Sequence, residues 1–156
     1  MRWEKFTIKG QEAIAEAQKK AEELGHQVIE VEHLLYTLVS DREGVVVSAL
    51  EKLGANAGAI KAELEKEFAK MPQVGGANQV YIGPMMKKAI EIAFSEAERL
   101  KDEYVSLEHL LIGIADLNQG AAGRILKTHV VTKDRIYTVL KDIRGTQRVT
   151  DQSPEE

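Results

Sequence analysis

The chain has 156 residues, with 25 acidic and 21 basic side chains, a formal net charge of −4 and no cysteine. That length suits one domain with a real core, the lack of cysteine excludes disulfides and thiolate metal sites, and the interspersed charges leave no basic face for nucleic acid. Aromatic residues are only 5% against 44% hydrophobic, so the core rests on Ala, Leu, Ile and Val, which favours close-packed helices over a β-sandwich or a ring-stacking pocket.

Apolar periodicity places a first helix from about Ile8 to Leu24. Thr7 stands where a side-chain oxygen caps it, positions 13, 14, 17, 21 and 24 form one stripe, and Gly25 ends it. A short second helix, about Val31 to Val39, carries Glu32 in its first turn, where a carboxylate meets the positive end of the helix dipole. The loop Asp41-Arg42-Glu43-Gly44 leads to a third helix, Val45 to Leu53, stopped at Gly54. Asn56 caps a fourth that ends near Phe68. Residues 69–81 read as a linker, marked by Pro72 and Gly75-Gly76.

The pattern then starts again. Gly83 caps, and Pro84 opens, a helix whose face is Met85, Met86, Ala89, Ile90, Ala93, Phe94, Ala97 and Leu100. Ser106 caps a helix from Leu107 to Ala115 with Glu108 in its first turn, and Thr132 caps a last helix ending near Arg144. From Gly145 onward there is almost nothing to bury, so residues 146–156 are expected to be a flexible linker toward a further domain.

Shifted by 76 positions, Phe6–Phe68 lies on Ile82–Arg144 without a gap, and 14 of the 63 pairs are identical, where unrelated chains of average composition match at roughly four. Ala13, Ile14, Ala17, Ala21 and Leu24 return as Ala89, Ile90, Ala93, Ala97 and Leu100, and Glu32-His33-Leu34-Leu35 returns as Glu108-His109-Leu110-Leu111. The repeat is longer than a solenoid unit. The expected fold is therefore all-α: two four-helix repeats, 6–68 and 82–144, related by a pseudo-twofold axis within one domain of residues 1–145. The seam between the halves is the first place to look for function.

Catalytic patterns are missing. His33 and His109 each follow a glutamate, but a metalloprotease needs two histidines one helical turn apart with a glutamate between them. These histidines read instead as ties between a helix and its neighbour, and His26 and His129 have no carboxylate at ligand spacing. No phosphate-binding loop occurs, since Gly75-Gly76 lacks a following lysine. No Ser or Thr stands beside a histidine in a nucleophile's setting. Asp102 and Glu108 read from spacing as surface carboxylates near helix ends. Met85, Met86, Ile90 and Phe94 are either core or the lining of an open groove at the seam. No apolar run reaches membrane-spanning length, and Met1-Arg2-Trp3-Glu4 does not open a signal peptide, so the chain reads as cytoplasmic.

The duplicated Glu-His-Leu-Leu, the start Phe6-Thr7-Ile8-Lys9 and the linker Met71-Pro72-Gln73-Val74-Gly75-Gly76 resemble the amino-terminal domain of the Clp AAA+ unfoldases. The exit from Arg144 to Gln152 resembles most the ClpB-type disaggregases among them. That resemblance covers essentially the whole chain. It implies a substrate-binding domain with no cofactor of its own, monomeric in isolation and tethered to ATPase rings that use ATP and magnesium and form a hexamer. The domain would capture unfolded or aggregated polypeptide, without nucleic acid or membrane. The residues the resemblance marks for this activity are Thr7, Asp102 and Glu108, with Ile90 in the hydrophobic groove. The alternative is an adaptor-docking domain of a protease-associated ClpC- or ClpA-like unfoldase, against which the linker and exit motifs argue.

Overall fold

The computed structural model describes residues 2–74, 79–145 and 147–155; Gly75 and Gly76 of the linker lie outside the described residues. Eight α-helices appear among them: α1 (Ile8–Glu23), α2 (Val31–Ser40), α3 (Val45–Lys52), α4 (Ala57–Lys70), α5 (Pro84–Arg99), α6 (Leu107–Leu117), α7 (Gly120–Thr128) and α8 (Lys133–Arg144). The two sets of four pair in order at the 76-residue offset, so the all-α duplicated fold holds. Local chemistry sets the boundaries. Thr7 caps the Gly10 amide at 3.0 Å, Asn56 the Ala59 amide at 3.0 Å and Thr132 the Arg135 amide at 3.3 Å, each satisfying a donor that the first helical turn leaves open. Gly25 and Gly54 take φ of +73° and +79° just beyond α1 and α3, where a side chain would be strained.

The halves are laced together by two crossing arms that the helical periodicity does not reveal. Before α1, Phe6 pairs with Val105 of the other repeat, with the Thr7 amide donating to the Val105 carbonyl at 3.0 Å and the Val105 amide to the Lys5 carbonyl at 2.7 Å. Before α5, the short strand β2 (Tyr81–Ile82) pairs in parallel with β1 (Val28–Ile29), and the Gly83 amide donates to the Ile29 carbonyl at 3.1 Å. Ile82 and Val105 stand 76 positions beyond Phe6 and Ile29, so the second crossing is the pseudo-twofold mate of the first. Buried residues of both repeats, among them Phe6, Leu34, Leu64, Met86, Leu110 and Leu140, form one core cluster. Neither half closes its core alone.

Polar contacts reinforce the seam. Glu32 in α2 accepts the Ala122 amide at the start of α7 at 2.8 Å. Glu63 and Glu67 of α4 reach His129 at 2.5 Å and Arg124 at 3.1 Å. His129 thus has a carboxylate partner 66 residues away, invisible to a search at local ligand spacing.

One glycine makes the repeats unequal. A Cβ on Gly113 in α6 would stand 2.3 Å from the Ala89 carbonyl oxygen, so α5 and α6 approach backbone to backbone. The equivalent residue in repeat one is Thr37, and α1 and α2 leave between them a cleft of about 470 Å³ lined by Lys20, Tyr36 and Thr37.

Residues 147–155 lie against the seam. Val149 is buried and its backbone is hydrogen-bonded on both sides, to Asp102 and to Glu103.

Candidate functional site

The site grows from the point where each repeat turns from its first helix into its second. In both, a histidine three residues into the second helix reaches back to the capping residue. The Glu30 amide donates to His33 Nδ1 and the Ser106 amide to His109 Nδ1, each at 2.8 Å. This is a capping box with histidine in the place usually held by Glu or Gln. An Nδ1 that accepts an amide proton carries none of its own, so each ring holds its proton on Nε2 and donates it onward.

The recipients differ. His33 Nε2 lies 2.9 Å from His26 Nδ1, whereas His109 Nε2 lies 2.7 Å from Asp102 Oδ2. A third position changes with them. Phe68 at the end of α4 stacks on His33, ring centroids 5.1 Å apart and planes within 8°, while its counterpart Arg144 donates to Asp102 Oδ1 at 2.6 Å. Repeat one therefore holds an aromatic, neutral set, and repeat two an ionic one.

The electrostatics follow. Burial, with the neighbouring His26 ring adding to it, pushes His33 down to about 4, and burial lowers His26 as well. For Asp102 burial works in the opposite sense, to raise its pKa. The hydrogen bonds from His109, Arg144 and the Val149 amide outweigh it and hold the carboxyl below its ordinary range.

Arg144 also links the candidate residues of repeat two. Its Nε lies 3.8 Å from Glu108 Oε2, and Glu108 Oε1 takes the Ser106 hydroxyl proton at 2.5 Å. Thr7 sits across the first crossing arm, fully buried. Its hydroxyl donates to Glu155 Oε2 at 3.3 Å, and the same oxygen accepts the Leu107 amide at 3.2 Å. Thr7, Asp102 and Glu108 thus converge on the seam around the arm and the tail. Asp102 and Glu108 are not surface carboxylates: they are 8% and 7% exposed. They are enclosed because the arm and tail, contributed from distant sequence, close over them.

Ile90 belongs to a separate feature. A groove of about 810 Å³ runs along α5, bordered by Lys87, Ile90, Glu91, Phe94, Tyr104 and Val105. Phe94 is half-buried and meets Phe6 edge to face, centroids 5.2 Å apart, with the Arg2 guanidinium 4.9 Å over its ring. Ile90 lines the groove but is only 4% exposed, so it forms the floor rather than the accessible wall. The accessible apolar surface comes from Phe94 and Tyr104. Asp102 lies at the end of this groove.

Sequence reasoning missed Arg144 and Glu155, which the structure brings to Asp102 and Thr7. The signal for the first lay in the non-identical pairs: His26/Asp102 and Phe68/Arg144 change together at the 76-residue offset. Among the described residues no group of three or more His, Asp and Glu is placed to hold a metal, and His33 and His109 are fully buried. No helix among the described residues is long and apolar enough to cross a membrane.

Two helical repeats with reciprocal arms and a seam-side groove define a duplicated helical domain, and its family is established by comparison. Residues 5–129 match the Clp repeat (R) N-terminal domain, and the chain belongs to that family. It is similar to the chaperone protein ClpB of Nitratidesulfovibrio vulgaris, 36% identical over 157 residues, covering 97% of this chain and 18% of that protein. It is also similar to the ClpB of Bacillus anthracis, 35% identical over 154 residues, covering 96% and 18%. The chain thus spans about a fifth of the length of these curated relatives and matches their N-terminal region. Its fold is that of the Hsp104 N-terminal domain from Candida albicans, with a TM-score of 0.82 and 18% identity, covering 97% of this chain and 99% of that one.

Proposed function

We propose that this chain is the substrate-capture module of an ATP-driven disaggregase. It holds unfolded or aggregated polypeptide and passes it to ATPase rings encoded elsewhere in a longer, hexameric, cytoplasmic protein. The domain proper is residues 1–145. The groove along α5 carries the proposal. It is open and mixes the half-buried rings of Phe94 and Tyr104 with charged Lys87 and Glu91. Such a surface suits weak, sequence-tolerant binding of extended chains. Micromolar affinity, about 8 kcal/mol, fits a module that must release what it catches.

The roles assigned to the site residues follow from their places. Phe94 and Tyr104 contact the client, and Ile90 supports Phe94 from below. Asp102, Glu108 and Thr7 set the geometry of the arm that forms the groove's far wall. This chain performs no catalysis itself; ATP and magnesium act in the rings. The test is fluorescence anisotropy of a labelled, permanently unfolded protein with the 156-residue chain and its Phe94→Ser variant. Micromolar binding by the parent, weakened at least fivefold by the variant, supports the reading, and no binding by the parent contradicts it. The adaptor-docking alternative is separated by the downstream reading frame: a coiled-coil insertion in the first ring marks a disaggregase, a protease-docking loop in the second ring the other.

A further inference from the structure

Residues 147–155 run back over the domain and touch both repeats. Only three of these nine are not exposed: Val149, Gln152 and Glu155, at every third position. The Val149 amide donates to Asp102 Oδ1 at 2.8 Å and its carbonyl accepts the Glu103 amide at 2.7 Å. The Gln152 carbonyl accepts the Ile8 amide at 2.7 Å, and its side-chain amide donates to the Glu4 carbonyl at 3.1 Å. Glu155 closes the strap on Thr7 and Leu107. The segment therefore engages Asp102 and Thr7 directly. It also walls a cleft of about 550 Å³ in which Glu108 and Arg144 stand.

We infer that residues 147–155 are an intramolecular occupant of the seam: a segment that masks the Thr7–Asp102–Glu108 face and must be displaced before a client spans it. The inference rests on the proposed capture function and adds its regulation. An extended polypeptide is the natural ligand for this face. The strap itself is held by backbone groups that any chain carries, by one small buried apolar side chain, by the Gln152 side-chain amide and by one carboxylate. A competing segment with the same features meets the same donors, the Thr7 hydroxyl and the amides of Ile8, Glu103 and Leu107.

The docking is also poised to yield. Glu155 Oε2 is satisfied twice, but Oε1 is buried with no hydrogen-bond partner among the described residues. Leaving a buried acceptor unpaired opposes docking, and burial pushes the carboxyl upward against its contacts with Leu107 and Thr7.

The test uses the 156-residue chain with Glu155→Lys, which sets a cation against the Leu107 amide, and independently Val149→Asp, which removes the buried anchor. Amide hydrogen exchange at Ile8 and Leu107 reports whether the strap is docked, and anisotropy with a permanently unfolded protein reports capture. We expect both variants to keep a cooperative melt, to lose protection at Ile8, and to bind client more tightly. The gain is about tenfold if the parent strap is docked nine-tenths of the time, since apparent affinity scales with the open fraction. A synthetic peptide of residues 147–155 in excess should return the Glu155→Lys variant to the parent's weaker binding. Loss of protection with unchanged or weaker capture overturns the inference while leaving the capture function intact. Retained protection in both variants overturns it too. Absence of client binding in parent and variants alike removes the function on which it rests.

Discussion

His26 and Asp102 occupy the same place in the two repeats, 76 positions apart, and each receives the proton of a buried histidine seven residues on, at 2.9 Å and 2.7 Å. Around one of them the fold builds an aromatic set with Phe68, and around the other an ion pair with Arg144. The duplicated chain has kept the hydrogen bond and changed the charge. The ionic half is the one whose carboxylate also holds the tail and borders the groove.

Asp102→Ala removes the acceptor of three hydrogen bonds, from His109, Arg144 and the Val149 amide. Breaking a buried pair from one side leaves uncompensated donors, and the expected loss is about 3 kcal/mol. Arg144→Ala should cost less, because its side chain is part exposed. In urea unfolding the double variant should lose clearly less than the sum of the two single losses, by about 1 kcal/mol or more. Additive losses would show that the pair acts independently.

Acidification should weaken repeat one before repeat two. His33 titrates near 6.5 when unfolded and is held at about 4 when folded. The unfolded chain therefore binds more protons between these values, and stability falls as pH drops through that window. His33's contribution is complete above 6.5 and is lost progressively toward 4, at up to about 1.4 kcal/mol per pH unit. Asp102, lowered from 3.8, loses its contribution only below that value. Urea midpoints at pH 7, 6 and 5 check this; a flat profile would contradict a neutral buried His26–His33 pair.

Gly113→Ala should be more damaging than a usual helix-stabilising glycine replacement is helpful. The added methyl falls 2.3 Å from the Ala89 carbonyl oxygen, so α5 and α6 must separate at a cost of about 1–3 kcal/mol. The groove along α5 should deform with them. Thermal melts show the loss; an unchanged or raised melting temperature would mean the helices have room to part.

Much of this was legible in the chain because it is local. Stripes of apolar residues, Thr7, Asn56 and Thr132 as caps, and Gly25 and Gly54 as stops fix helices within one or two turns of themselves. The crossing arms were not legible. Phe6 and Val105 carry no mark of pairing across half the chain, and only the closed core brings them together. The same holds for Glu63 with His129. Of the site, the seam's importance followed from the repeat, and Thr7, Asp102 and Glu108 from family resemblance. Their burial depended on where the arm and tail lie.

Ile90 and Phe94 should therefore separate in their effects. Ile90 is on the groove's floor within the core, and Ile90→Glu buries a charge, so it should unfold the domain rather than merely disarm it. Phe94→Ser should leave a cooperative melt, lowered by about 1–3 kcal/mol of lost packing, and reduce client binding at least fivefold. Circular dichroism melts beside anisotropy distinguish the two; a well-folded Ile90→Glu variant would place Ile90 on the accessible wall.

The central claim is that client chains lie in the groove along α5 and reach the seam. Its most direct test is amide and methyl NMR of the 156-residue chain titrated with a permanently unfolded protein. The account predicts saturable shifts concentrated at Lys87, Ile90, Phe94, Tyr104 and Val105, continuing to Asp102. Shifts confined to the α1–α2 cleft at Tyr36 and Thr37, or none at client concentrations of about 1 mM, where affinity is only about 4 kcal/mol, would contradict it.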